Sequence, residues 1–303
     1  MSVIRKVLSV KIIEALTQPG DHECMNSADN HQVLVLGATG KTGSRVAGRL
    51  SARGVSVRTA ARSGADVHFD WDDQATWEEA LRGATGLYLV SPILRIDFAG
   101  LVARFLDQAE QVGVRHVTYL SAYGMEQAPA DVAPRAVELD LAARSSLIST
   151  VIRPAWFMED FSETFLQPVN DAIVVPAGDG AEAFVSVEDI ASVAAVTLAG
   201  PEQHAGRAYA PTGPQALMMA EAAQLISTAA GRIISYLDTD REAWIAAVVA
   251  SGVPAEYAQV LRPLTAAVAS GNGAQPNGDV LEVTGVPPVA FAEFAARTAI
   301  AWK

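Results

Sequence analysis

The run Gln32-Val-Leu-Val-Leu-Gly37-Ala-Thr-Gly40-Lys-Thr-Gly43-Ser-Arg-Val46 constrains the fold more than any other part of the chain. A short apolar strand leads straight into glycines spaced three apart, and a helical pattern follows. Gly37 suits the positive φ of a tight turn, and Gly40 lets backbone approach a pyrophosphate closely. Gly43 lets the new helix pack near the strand, so its free N–H groups and dipole face the phosphates. A Walker phosphate loop needs a glycine where Val35 stands, so that reading fails. What remains is the grammar of a dinucleotide cradle.

From Gln32 onward strands and helices alternate. Strands are expected at Gln32–Leu36, Val55–Ala60, Val67–Phe69, Gly86–Val90, His116–Leu120, Ser149–Arg153 and Ile173–Val175. Helical spacing separates them at Ser44–Ala52, Thr76–Arg82, Ile96–Val112 and Arg135–Ser145. Such alternation predicts right-handed crossovers and an α/β fold with a Rossmann-type doubly wound parallel sheet. Later helical stretches at Val187–Leu198, Ala216–Ala230, Arg241–Val249, Ala255–Ser270 and Pro288–Ile300 predict a smaller, mostly helical C-terminal substrate lobe. The organisation expected is an N-terminal arm over 1–31, a dinucleotide-binding domain over 32–155, and a lobe over 156–303 that includes the last sheet strands. Ser270–Gly278, rich in Gly and Asn, reads as a mobile loop.

Composition narrows the partners. A net charge of −12 argues against nucleic acid, because phosphate neutralisation needs a basic face. No apolar stretch reaches the roughly 20 residues that span a bilayer, so no membrane partner is expected. Cys24 is alone, which rules out an intrachain disulfide and fits a reducing cytoplasm. Scattered histidines give no metal-ligand spacing, and no Gly-x-Ser-x-Gly elbow appears. A monomer or homodimer acting on a small molecule is expected.

The end of the second strand sets the cofactor type. An NAD site places an acid there for the ribose hydroxyls. Here Val57-Arg-Thr-Ala-Ala-Arg62-Ser63 carries no carboxylate. Arg62 and Ser63 stand where a 2′-phosphate would lie, and Lys41 adds charge from the glycine loop. NADP(H) is therefore preferred over NAD(H). The expected cofactor residues are Gly37, Thr39, Gly40, Lys41, Thr42, Gly43, Arg62, Ser63, Asp70, Ser91 and Pro92. Asp70 has two readings, one at the adenine edge and one in a helix-capping turn with Asp72 or Asp73.

Several runs resemble the NmrA-like group of atypical short-chain dehydrogenases, and within it the festuclavine/agroclavine dehydrogenase branch of ergot alkaloid biosynthesis. They are Phe69–Trp77, Leu87–Pro92, Val151–Asp160, Phe184–Ala191 and Gly252–Tyr257. The resemblance covers Gln32 to the C-terminus and implies an NAD(P) cofactor and a two-lobed fold. Its members include reductases of quinones, azo compounds and iminium-like metabolites, and also regulators that bind the dinucleotide without turning anything over.

The chemistry is less plain. Short-chain dehydrogenases usually carry Tyr-x-x-x-Lys, in which lysine lowers the tyrosine pKa. Here Tyr119 is followed four positions on by Tyr123, and Tyr123 by Gln127. Arg135 stands where many NmrA-like reductases have lysine, and arginine cannot shuttle a proton. Reducing a ketone needs a proton donor. An already activated iminium needs mainly placement. Ser121 and Tyr123 are the best catalytic candidates. Arg135, Trp156, Phe157 and Met158 are the substrate candidates, the last three as a flat apolar wall. Three functions stay open: an NADPH-dependent reductase of conjugated or aromatic molecules in secondary metabolism, a non-catalytic NADP sensor, and a tailoring protein without net redox change.

Overall fold

The computed structural model describes residues 31–303; residues 1–30 of the expected N-terminal arm, with Cys24, lie outside the described residues. Strand β1 (Gln32–Leu36) is buried on both faces. Leu34 and Leu36 join Trp77, Phe105 and Leu106 on one side, while Val33 and Val35 join Ala194 and Leu198 on the other. Side chains alternate along a strand, so an unbroken apolar run is what a central strand between two helix layers requires.

The elements follow in order as α1 (Lys41–Ala52), β2 (Ser56–Ala61), β3 (Val67–His68), α2 (Ala75–Leu81), β4 (Gly86–Val90), α3 (Ala99–Val112) and β5 (His116–Leu120). Next come α4 (Ala133–Ala143), β6 (Ile148–Ile152), α5 (Asp160–Glu163), β7 (Ala172–Val174), β8 (Ala181–Glu182) and α6 (Val187–Ala199). Then come β9 (Ala208–Tyr209), β10 (Leu217–Met218), α7 (Met219–Ala230), β11 (Ser235–Leu237), α8 (Arg241–Ala250), α9 (Ala255–Ala269), α10 (Asp279–Thr284) and α11 (Phe291–Thr298). The main sheet runs β3-β2-β1-β4-β5-β6-β9, and every pairing in it is parallel. This is the doubly wound Rossmann order expected, with its switch between β1 and β4.

Beyond residue 155 the chain returns to this sheet. Helix α6 contributes Ile190, Ala191 and Ala194 to the core behind β1, and β9 pairs with β6. Its N-terminus is capped by Ser186, whose Oγ accepts the Glu188 N–H. The C-terminal lobe gathers a separate core of Phe161, Phe184, Ile226, Trp244, Phe291 and Trp302.

Three expectations are corrected here. The strand expected at 173–175 runs over Ala172–Val174 and pairs with β11 in a small sheet of its own, outside the main sheet. The helix expected from Ala216 begins as β10, which pairs antiparallel with β8, and turns helical only at Met219. The stretch Ser270–Gly278 is tied down: Gly273 O accepts from Ala183 N at 2.8 Å, and Asn277 Nδ2 donates to Ala210 O at 2.7 Å. Glycine composition signals turn geometry, and these turns are pinned by hydrogen bonds that sequence distance hides.

Candidate functional site

The cradle forms at the carboxyl end of β1. Gly37 has φ +62°, and a Cβ on Gly43 would stand 2.3 Å from Gly37 O. Gly40 N–H donates to Gly37 O at 2.8 Å, which closes the turn. Gly40 caps α1 with no side-chain hydrogen bond, so among the described residues the first N–H groups of the helix keep their free donors. Where a side chain would close the gap, glycine leaves room, and a dinucleotide fits this cradle.

The neighbouring strand ends converge on it. Arg62 and Ser63 are exposed just past β2. The nearest acid, Asp66, turns away: its carboxylate accepts from the Thr59 N–H at 2.9 Å and the Thr59 hydroxyl at 2.7 Å. Those two bonds hold it below the usual carboxylate range. Asp70 Oδ1 accepts from Asp72 N, while Asp73 Oδ1 accepts from Ala75 N at 3.1 Å and so serves the start of α2. Asp72 instead pairs with Arg95 at 2.7 Å. At the end of β4, next to half-buried Pro92, Ser91 Oγ lies 3.0 Å from the Tyr119 hydroxyl.

Beyond β5 the structure shows a relationship that the sequence did not suggest. Ser121 Oγ donates to Glu138 at 2.6 Å. Arg135 donates to the same carboxylate at 2.9 Å, and Arg153 donates twice at 2.8 Å. Burial works against the charge on Glu138, but the bonds from Arg153, Ser121 and Arg135 outweigh it and hold the carboxyl below its ordinary value. Arg135 and Ser121 thus share one buried acid. Tyr123 is half-buried, and its phenol is pushed up by burial and by the charges of Glu182 and Glu126.

The loop after β6 divides the expected wall. Trp156 stacks edge-on with Phe165 at 5.6 Å, and Phe165 with Trp244 at 6.3 Å. Phe157 packs toward the sheet core, and Met158 is buried in the core of the C-terminal lobe. Lys41 Nζ reaches Asp160 at 2.7 Å and Thr164 Oγ1 at 2.9 Å. Tyr257 lies near the same acid, its phenol pushed up by burial and by the Asp160 charge.

Glu182 was missed by sequence reasoning. It is 3% exposed, and Oε1 lies 3.5 Å from the Trp156 N–H. Burial pushes it up to about 7. The available signal was a lone acid inside the apolar run Ala181-Glu-Ala-Phe-Val185. Elsewhere, a cavity of about 480 Å³ is lined by Arg45, Arg49 and Glu188, but these charges already pair with one another. Among the described residues no cluster of three His, Cys, Asp or Glu is placed to hold a metal, and no helix is long and apolar enough to cross a membrane.

The sheet order and glycine cradle define a Rossmann-type dinucleotide-binding protein. Residues 29–275 match the NmrA-like family, and the chain belongs to it. It is 33% identical over 279 residues to the uncharacterized oxidoreductase YesF of Bacillus subtilis, covering 89% of this chain and 96% of that one. It is 31% identical over 287 residues to agroclavine dehydrogenase of Claviceps fusiformis, covering 89% and 98%. The fold is similar to that of triphenylmethane reductase of Citrobacter sp. complexed with NADP(H), with a TM-score of 0.71, 22% identity, and coverage of 89% and 99%.

Proposed function

We propose that the protein is an NADPH-dependent reductase of conjugated or aromatic small molecules, iminium-like or quinone-like. One observation carries the reading: the glycine cradle follows β1 and Trp156 follows β6, at the carboxyl ends of two strands of one parallel sheet, and the Lys41–Asp160 ion pair at 2.7 Å ties the two segments together. Gly37, Thr39, Gly40, Thr42 and Gly43 would hold the pyrophosphate, and Ser91 and Pro92 the ribose half. Arg62 and Ser63 would take the 2′-phosphate, since Asp66 is committed to Thr59. When bound, the reduced dinucleotide supplies hydride. The wall orients a flat acceptor and excludes water, and correct placement alone supplies on the order of 7–11 kcal/mol in favourable cases. The similarity to agroclavine dehydrogenase supports oxidoreductase chemistry on a small molecule.

A second reading, a dinucleotide sensor, is favoured by Ser121 being engaged with Glu138 in a chain without Tyr-x-x-x-Lys. Titration with NADPH and NADH, followed by quinone and cyclic-imine panels at the nicotinamide absorbance band, separates the two. The reductase consumes NADPH with at least one acceptor. Tight binding without consumption by any acceptor sinks it in favour of the sensor.

A further inference from the structure

We propose that the gap between the loop after β4 and the start of α9 is the outer part of the acceptor site, and that it selects acceptors of two or more fused rings without a negative charge. This subsite rests on the reductase reading and adds to it named residues and a substrate class.

The gap is a cavity of about 210 Å³. Leu94 and Ile96 line it from the loop after β4, and Pro254 and Tyr257 line it from the start of α9. One wall therefore belongs to the dinucleotide-binding sheet and the other to the C-terminal lobe. An apolar cavity of about 150 Å³ takes one benzene ring. Whole small-molecule sites run to about 300–1,000 Å³. This space suits one ring of a larger molecule and is too small for all of it.

Its position ties it to the cradle. β4 pairs parallel with β1, so the loop after β4 leaves the sheet at the same carboxyl edge as the glycines after β1. Leu94 stands three residues beyond Ser91, at most about 11 Å along an extended chain. Tyr257 packs against the lobe core that also supports Trp156. An acceptor stacked on a nicotinamide beside Ser91 and Pro92 therefore has this gap within reach.

The loop is a fixed wall. At its start Ser91 Oγ lies 3.0 Å from the Tyr119 hydroxyl, and at its end Phe98 is buried in the sheet core. Between them Arg95 pairs with Asp72 at 2.7 Å and donates Nε–H to Asp97 O at 3.1 Å. Leu94 has φ +58°, a left-handed backbone that a bulky residue adopts at a cost, and yet its side chain is exposed. Core packing does not explain a leucine there, and backbone preference opposes it. Contact with a bound apolar ring accounts for both.

Charge sets the second rule. Asp97 and Glu256 also line the gap, while Arg95, the cation among the lining residues, is held by Asp72. A ring carrying an anionic group meets two carboxylates and no free cation in this lining, so it is disfavoured against its neutral counterpart.

The test uses the full chain loaded with NADP⁺ and three probes, phenol, 2-naphthol and naphthalene-2-sulfonate, with affinities from isothermal titration. Leu94→Gly suits the left-handed backbone and removes one side of the gap without disturbing the core. It should weaken 2-naphthol about 10-fold, the low end for losing an apolar pocket contact, and leave phenol within about 2-fold. Ile96→Trp, which fills the gap, should do the same. Naphthalene-2-sulfonate should bind several-fold more weakly than 2-naphthol, and should recover when Asp97→Asn and Glu256→Gln are combined. No binding of 2-naphthol, or equal changes for phenol and 2-naphthol in both single variants, would overturn the subsite. A sulfonate that gains nothing in the double variant would overturn the charge rule. Turnover separates the subsite from the reading beneath it. Faster NADPH consumption with 1,4-naphthoquinone than with 1,4-benzoquinone, and loss of that preference in Leu94→Gly, supports both. Wild type that binds 2-naphthol as described and consumes NADPH with no quinone or cyclic imine keeps the subsite and removes the reductase.

Discussion

Lys41 Nζ and the Asp160 carboxylate lie 2.7 Å apart, joining the first residue of α1 to the first residue of α5. The ammonium expected to face phosphate is therefore held by an acid from the segment after β6. Both side chains are mostly buried, so a double-mutant cycle on unfolding should give a coupling of about 1 kcal/mol. Asp160→Asn frees the ammonium for the cofactor and should tighten NADPH several-fold in a fluorescence titration. Unchanged affinity would remove Lys41 from phosphate binding.

On the proposed reading, Arg62 carries the cofactor preference. Arg62→Ala should weaken NADPH by roughly 10- to 100-fold, the loss of one charge-assisted phosphate contact, and leave NADH nearly unchanged. Isothermal titration with each dinucleotide measures this. Equal weakening of both would refute the assignment.

Glu138 ties Ser121, Arg135 and Arg153 together. Glu138→Gln leaves the partly buried Arg135 without its counter-charge and Arg153 with only the more exposed Glu126, and should cost about 2 kcal/mol, below the figure for a fully buried pair. Its carboxyl is held below the ordinary 4.5, so its contribution is complete above that pH and is lost as pH falls through the lower folded value. Urea unfolding across acid pH should show the difference between wild type and variant shrinking as pH falls below the ordinary 4.5. A difference independent of pH would contradict the sign.

Glu182 has the opposite sign. Its folded value near 7 lies above the ordinary 4.5, so ionisation opposes folding. The penalty is absent below the lower value, grows between the two, and reaches about 3 kcal/mol above the higher one. Glu182→Gln should therefore be more stable than wild type in mildly alkaline buffer and nearly equal to it in acid. Parallel stability profiles would show that the carboxyl is solvated.

Much of this was readable from the sequence, for a physical reason. The strand at Gln32–Leu36 and the glycines after it are specified by local rules, backbone freedom and an unbroken apolar run, so their bounds emerge directly. Glu138 was invisible because an acid three residues after Arg135 looks like a solvated helix pair; its burial shows only once Arg153, just past β6, is brought against it. Met158 and Trp156 are two residues apart in one loop, where no period tells core from cleft. β8 and β10 are two residues each, and they exist through pairing across 35 positions of sequence.

The return of the chain to the sheet through α6 and β9 bears on how such a protein can be remodelled. Cutting after residue 155 strips the apolar cover from one face of β1 and leaves β6 with a bare edge. The part of the chain after residue 155 is therefore not a cassette that can be exchanged whole. On the proposed reading, altered substrate choice has to come from short grafts at the strand ends, around Trp156 and Phe165, where a few side chains change and the shared core is left alone.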